Sequence, residues 1–210
     1  MKIKNVEELQ EKIDSELSWR KKELFNFSLI IRSNNDPILC KLGIALLSAH
    51  FEGLVKKIAN YYIIFVSGQR KKACELKRNF TALSISKYVE KYEKNPDLNI
   101  LENCAKNLLD DEIFSIKYTD EHPIIKTKGN PSSSLLKNIF GLIGLDFSPY
   151  ETKVNYIDSD LLRNRHEIVH GEKTFISKSD FSDTFEHIVE LMDDMAKQVV
   201  DAALNETYLI

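Results

Sequence analysis

PILCKLGIALLSAHFEGLVKKIANYYIIFVSG, residues 37–68, carries Ile44, Leu47, Phe51, Leu54, Val55, Ile58 and Tyr62 at helical spacing. That period puts them on one face of an α-helix. Pro37 suits the first turn, where its missing N–H costs nothing, and Ser67 and Gly68 stop the pattern near Val66. Upstream, Val6, Leu9, Ile13, Leu17, Leu24, Phe27 and Ile31 predict a long first helix, and Asn34, Asn35, Asp36 and Pro37 separate the two. Two amphipathic helices on a short connection form an antiparallel hairpin that needs further helices to cover its apolar stripes.

The rest of the chain supplies them. Residues 70–110 read as helical with a break at Asn95 and Pro96. Phe114, Ile116 and Tyr118 alternate with polar residues before His122 and Pro123, which predicts a small β-hairpin insertion near 112–128. Gly129 to Ser134 is the clearest loop, and Ser134 is placed to cap a short helix through about Ile143. Asp158 or Ser159 is the expected cap of a helix ending at Gly171. The final helix should begin near Ser179 or Asp180 and bury Phe181, Phe185, Ile188, Met192, Met195 and Val199. The expectation is an all-α up-and-down bundle, one domain over residues 1–210.

Composition agrees: 210 residues at 43% hydrophobic content can bury a sizeable core, and seven Gly with five Pro are few for a many-turned β fold. A net charge of −3 gives no global cationic footprint, so any nucleic-acid contact must be local. Lys56 and Lys57, and the cluster Arg70, Lys71, Lys72, Lys77 and Arg78, permit such contact without requiring it. Three widely spaced cysteines, Cys40, Cys74 and Cys104, give neither a disulfide framework nor a cysteine zinc site and are expected as reduced, buried thiols. The apolar run Ile58 to Val66 is too short and too polar to span a bilayer, and MKIKNVEELQEK lacks the apolar region of a leader. The expected location is the cytoplasm, without a membrane partner.

Chemistry concentrates in LLRNRHEIVHG, residues 161–171. Arg165 and His170 form an R-x4-H pair, while His166, Glu167 and His170 form H-E-x-x-H, a zinc-peptidase pattern with two imidazoles one turn apart and a carboxylate as general base. The zinc reading needs a third protein ligand, and Glu186, His187 and Glu190 match no fixed downstream spacing. Arg163 and Arg165 also oppose a dication there, so no metal or other cofactor is expected. A wheel drawn at about 100° per residue puts Leu161, Leu162, Ile168 and Val169 on one face, with Arg163, His166, Glu167 and His170 opposite. Arg165 falls in the apolar sector, where it enters a cleft, meets a second subunit, or forms a structural buried salt bridge.

These residues resemble the HEPN superfamily, whose hallmark is R-x4-6-H with a polar residue after the arginine. Arg165, His166 and His170 match it. The ending Ile168-Val169-His170-Gly171 is most similar to the MAE-type branch associated with prokaryotic toxin-antitoxin and defence loci. WRKKEL (Trp19 to Leu24), LLSAHFEG (Leu46 to Gly53) and GNPSSSLLKNIFGLIGLD (Gly129 to Asp146) resemble further signatures of that branch. His166 stands where Asn is commoner, and Arg163, six residues before His170, also satisfies the loose motif.

The resemblance implies a metal-independent endoribonuclease that leaves a 2′,3′-cyclic phosphate and a 5′-hydroxyl. The chemistry suits the residues: histidine moves protons near neutral pH, and the arginine fork holds a phosphate. His170, Arg165 and His166 are the expected catalytic groups. Glu52, beside the small residues Ala45, Ser48 and Ala59 on the second helix, is a candidate to orient them. Arg163, Asn164 and Glu167 are candidate substrate contacts. On a straight helix Arg165 and His170 point about 140° apart, so a second helix or subunit is needed, and the resemblance implies a homodimer. RNA and a cognate antitoxin protein are the expected partners. A non-catalytic nucleotide- or protein-binding module on the same fold is the alternative.

Overall fold

A computed structural model describes residues 2–109, 113–116, 123–127 and 131–210. Helix α1 (Val6–Ser33) starts on Asn5, whose side-chain oxygen accepts the Glu8 N–H at 2.9 Å, with Glu7 and Glu8 at the positive end of the helix dipole. Helix α2 (Ile38–Gly68) starts one residue after Pro37, which is its N-cap rather than part of its first turn. The Asp36 carboxylate accepts the Ile38 N–H at 3.0 Å. α1 and α2 form the expected hairpin, and α7 (Lys178–Leu204) packs against both. α7 opens with a capping box between Ser177 and Asp180, a residue or two ahead of the expected start.

Helix α2 is the centre of the molecule. Leu47, Phe51, Leu54, Ile58, Tyr62 and Val66 are fully buried or nearly so, against Leu24 and Ile31 of α1 and Ile188, Met192 and Met195 of α7. By length and composition alone α2 is apolar enough to cross a membrane, but half of its most apolar window is buried inside the bundle. Its hydropathy has a sufficient explanation in core packing.

Helices α3 (Arg78–Lys94) and α4 (Leu98–Leu109) pack on each other across the break at Asn95 and Pro96. α5 (Ser133–Ile143) is capped by Ser132, not Ser134, through the Leu135 N–H, and ends on Gly144 in the left-handed conformation at φ 73°.

The hairpin expected near 112–128 does not appear among the described residues, which contain no strand; 110–112, 117–122 and 128–130 lie outside them. Ile113 makes an isolated antiparallel bridge with Lys72, and the Phe114 N–H donates to the Lys71 carbonyl at 2.9 Å. Phe114 is buried edge-on to Phe80, with ring centroids 5.6 Å apart, so the apolar alternation there serves a strap over the core. Residues 123–127 are tied to α2 by Asn60, whose Oδ1 accepts the N–H groups of Ile124 (2.9 Å) and Ile125 (3.1 Å). Its Nδ2 donates to the carbonyls of Ile125 and Lys56. One buried amide side chain thus does the work expected of a partner strand.

Of the three cysteines only Cys40 is buried, where desolvation raises its thiol pKa; Cys74 is exposed and Cys104 is half-exposed.

Candidate active site

The helix carrying the motif is not a simple α-helix capped at Asp158 or Ser159. A 3-10 turn (Ser148–Lys153) leads into a π-helical run (Tyr156–Arg163), which continues without a cap into α6 (Asn164–Val169). Buried Ile157 and Leu161 anchor the run, which packs on α7 and α2, while α6 packs on α2. Asp158 serves a different helix end: its carboxylate accepts the Ser133 N–H at 2.7 Å and the Ser133 hydroxyl at 2.5 Å, tying the π run to the first turn of α5. Extended π-helical stretches are rare and occur often at functional sites.

The C-terminal end of α6 is equally defined. His170 is the C-cap and its N–H donates to the His166 carbonyl at 3.0 Å. Gly171 adopts φ 72°; its N–H reaches the Ile168 carbonyl, and the Glu172 N–H reaches the Glu167 carbonyl at 2.9 Å. This is a Schellman motif, and a β-carbon built on Gly171 would meet nothing within 4 Å, so backbone conformation alone demands glycine.

His166 and His170 are both exposed, with ring centroids 4.2 Å apart and planes inclined at 45°. Beside them the Arg163 Nε lies 3.6 Å from a Glu167 carboxylate oxygen, a largely exposed pair of modest strength. Asn164 is half-buried, and its side-chain amide donates to the Asp160 carbonyl at 2.7 Å. Arg165 is half-buried, and among the described residues its guanidinium has no hydrogen-bond or ion-pair partner. The structural salt-bridge reading of Arg165 therefore finds no support here.

Glu52 is half-buried on α2, the helix against which α6 packs. One of its carboxylate oxygens accepts the Thr127 hydroxyl at 2.5 Å, so the strap held by Asn60 also holds Glu52. Val169, placed on the apolar face by the wheel, is 59% exposed. The i→i+5 bonding of the π run changes the angle per residue, so a wheel drawn at one fixed angle drifts out of phase across Arg163.

His50, read from the sequence as helix packing, is buried with its ring edge-on to Trp19 at 5.2 Å and its Nε2 3.4 Å from Glu23. Burial pushes its imidazole pKa down. Close by, the buried Arg20 donates to Glu16 at 3.0 Å, and Glu16 also accepts the Tyr61 hydroxyl at 3.1 Å. A β-carbon on Gly53 would come within 2.6 Å of the Arg20 guanidinium, which explains a glycine inside α2. Tyr61 and Tyr62 are core residues, not exposed stacking platforms. A hollow of about 510 Å³ lined by Ser133, Ser134, Lys137, Thr152 and Asn155 lies by the Asp158 tie, with no residue of the motif in its wall.

The described residues form helices and no strand, with a Schellman cap after His170 and, five residues before it, an arginine that has no hydrogen-bond or ion-pair partner among them. The RiboL-PSP-HEPN family model matches residues 15–201, nearly the whole chain, and the protein belongs to that family. No curated protein and no solved structure gives a significant match.

Proposed function

We propose that this protein is a metal-independent endoribonuclease of the toxin-antitoxin or defence type, acting as a single domain over residues 1–210 in the cytoplasm. The observation that carries the reading is the half-buried guanidinium of Arg165, without a hydrogen-bond or ion-pair partner among the described residues, on the same short helix as two exposed imidazoles. A buried or half-buried cation without an anion is costly, and a phosphodiester is the anion that R-x4-H chemistry supplies.

In the proposed reaction an imidazole takes the proton of the RNA 2′-hydroxyl, the 2′-oxygen bonds to phosphorus, and the bond from phosphorus to the 5′-oxygen breaks. A second proton donor protonates that leaving oxygen, giving a 2′,3′-cyclic phosphate and a 5′-hydroxyl with no water consumed. His170 and His166 are the two proton carriers. Arg165 stabilises the charge that builds on the phosphorane oxygens. Arg163, Asn164 and Glu167 contact the flanking RNA, and Glu52, braced by Thr127, orients the cleft from α2. The MAE-type branch assignment and a cognate antitoxin protein belong to the same proposal.

At about 100° per residue Arg165 and His170 point about 140° apart, so the reading calls for a homodimer in which Arg165 of one protomer meets His170 of its partner across a two-fold axis. Purified protein incubated with total RNA in excess EDTA should cleave it, and Arg165→Ala or His170→Ala should each abolish cleavage while remaining folded. Mixing and refolding the two inactive variants then separates the geometries. If the site is shared, half the dimers are mixed and each has one intact site, so about a quarter of wild-type activity returns. If both groups act within one chain, none returns. Absence of RNA cleavage by the wild-type protein, with nucleotide binding retained, would replace the nuclease with a binding module.

A further inference from the structure

The H-E-x-x-H pattern admits a second chemistry beside the ribonuclease reading. Among the described residues no group of three or more His, Cys, Asp or Glu side chains could hold a metal ion. Two imidazoles nevertheless stand side by side. His166 and His170 are both exposed, one helical turn apart, with ring centroids at 4.2 Å. Their backbone is fixed by the His170 to His166 hydrogen bond and the Schellman turn.

Metal–nitrogen bonds of about 2.0–2.1 Å to both rings would set the centroids about 5 Å apart around a tetrahedral ion. Opening the present arrangement by about 1 Å is a side-chain rotation at an exposed helix end, needing no backbone change. Of the two arginines that oppose a dication there, Arg163 is offset by a carboxylate. Arg163 is engaged by Glu167 at 3.6 Å, and that carboxylate lies on the same short helix as both rings. The positions the protein leaves open suit water, which describes a reversible chelate and not a structural zinc site.

We propose that His166 and His170 form a two-imidazole chelate for a borderline divalent transition-metal ion, with Cu²⁺ held more tightly than Ni²⁺ or Zn²⁺. That order follows imidazole chemistry. A loaded pair cannot carry protons, so on the ribonuclease reading the ion is an inhibitor; binding itself does not depend on that reading.

The test is isothermal titration of the full chain with ZnCl₂ and with NiCl₂, without RNA and in a non-chelating buffer. One ion per His166–His170 pair is expected, with a dissociation constant on the order of 10 μM. His166→Ala and His170→Ala should each weaken it roughly tenfold or more, while His187→Ala and Cys74→Ser leave it unchanged. Far-UV circular dichroism checks folding, and His166→Gln, which keeps a polar helix-compatible side chain, guards against a folding defect in the alanine variant. Binding that survives both alanine substitutions, or no binding below about 1 mM ion, overturns the chelate. RNA cleavage is assayed in EDTA, so failure of either idea is visible without the other.

Discussion

Asn60→Ala should destabilise the protein by about 3 kcal/mol. Asn60 is 1% exposed in the middle of the apolar run of α2, and its side chain makes three hydrogen bonds to the 123–127 strap. At about 1 kcal/mol net per bond the sum is about 3 kcal/mol. If the orphaned amides of Ile124 and Ile125 stayed dry the cost would be higher, and if the strap detached they would hydrate but the burial of Ile125 would be lost. Both routes leave the estimate near the same size. For a chain of this length it corresponds to a melting temperature lower by about 6–12 °C. Urea unfolding gives the free energy, and native-state hydrogen exchange at the Ile124 and Ile125 amides reports the strap directly. A loss below about 0.5 kcal/mol with both amides still protected would refute the assignment of Asn60 as the strap's anchor.

Gly171→Ala should cost about 1 kcal/mol in thermal unfolding, because φ 72° strains any L side chain while the space itself is open; an unchanged melt would mean that the turn relaxes freely. Asp158→Ala should cost about 1–2 kcal/mol by removing the anion that caps Ser133, read by urea unfolding, and a neutral result would dissociate the π run from α5. The buried His50 should make stability pH-dependent. Its folded pKa lies below the unfolded value of 6.5, chiefly by desolvation, with Arg20 reinforcing and Glu23 opposing the shift. The unfolded chain therefore binds the proton first, so stability falls as pH drops through about 6.5 towards the folded pKa and is constant above. His50→Gln should flatten that slope between about pH 5 and about pH 7.5, and an identical slope in the variant would assign it elsewhere.

The long elements were legible because their signals are redundant. In α2 the apolar period, the preceding Asn34–Pro37 punctuation and the terminal Ser67 and Gly68 all agree, and the observed ends lie within two residues of the reading. Ser177 and Ser132 were missed as caps in favour of near neighbours, since several adjacent Ser and Asp residues offer the same capping chemistry and only tertiary packing chooses. The strap was misread because alternation in 112–128 has two sources: a paired strand and a chain laid along a helix show the same period of two. Asn60 was the available clue, a lone amide inside IANYYIIF whose burial demands backbone partners. The π run left no such clue. Ile157 and Leu161 within it are buried, and the run packs against α2 and α7.

The candidate site divides along the same line. The polar cluster of Arg163, His166, Glu167 and His170 needed only local helical spacing, and it assembles at one exposed helix end. Arg165 needed tertiary information: the sequence left it between a salt bridge, a cleft and a second subunit, and among the described residues no salt bridge to it is seen. What remains follows from geometry. Arg165 is half-buried on α6, and His170, five residues on, is its exposed C-cap, where the Schellman turn ends the helix at once. Exposed apolar side chains flank that end in sequence, Val169 at 59% and Phe175 at 78% exposure. A self-complementary contact there would cover them and, by the symmetry of a two-fold axis, carry each arginine towards the other protomer's histidine. On the proposed reading, a two-fold site would draw its arginine from one protomer and its histidine from the other.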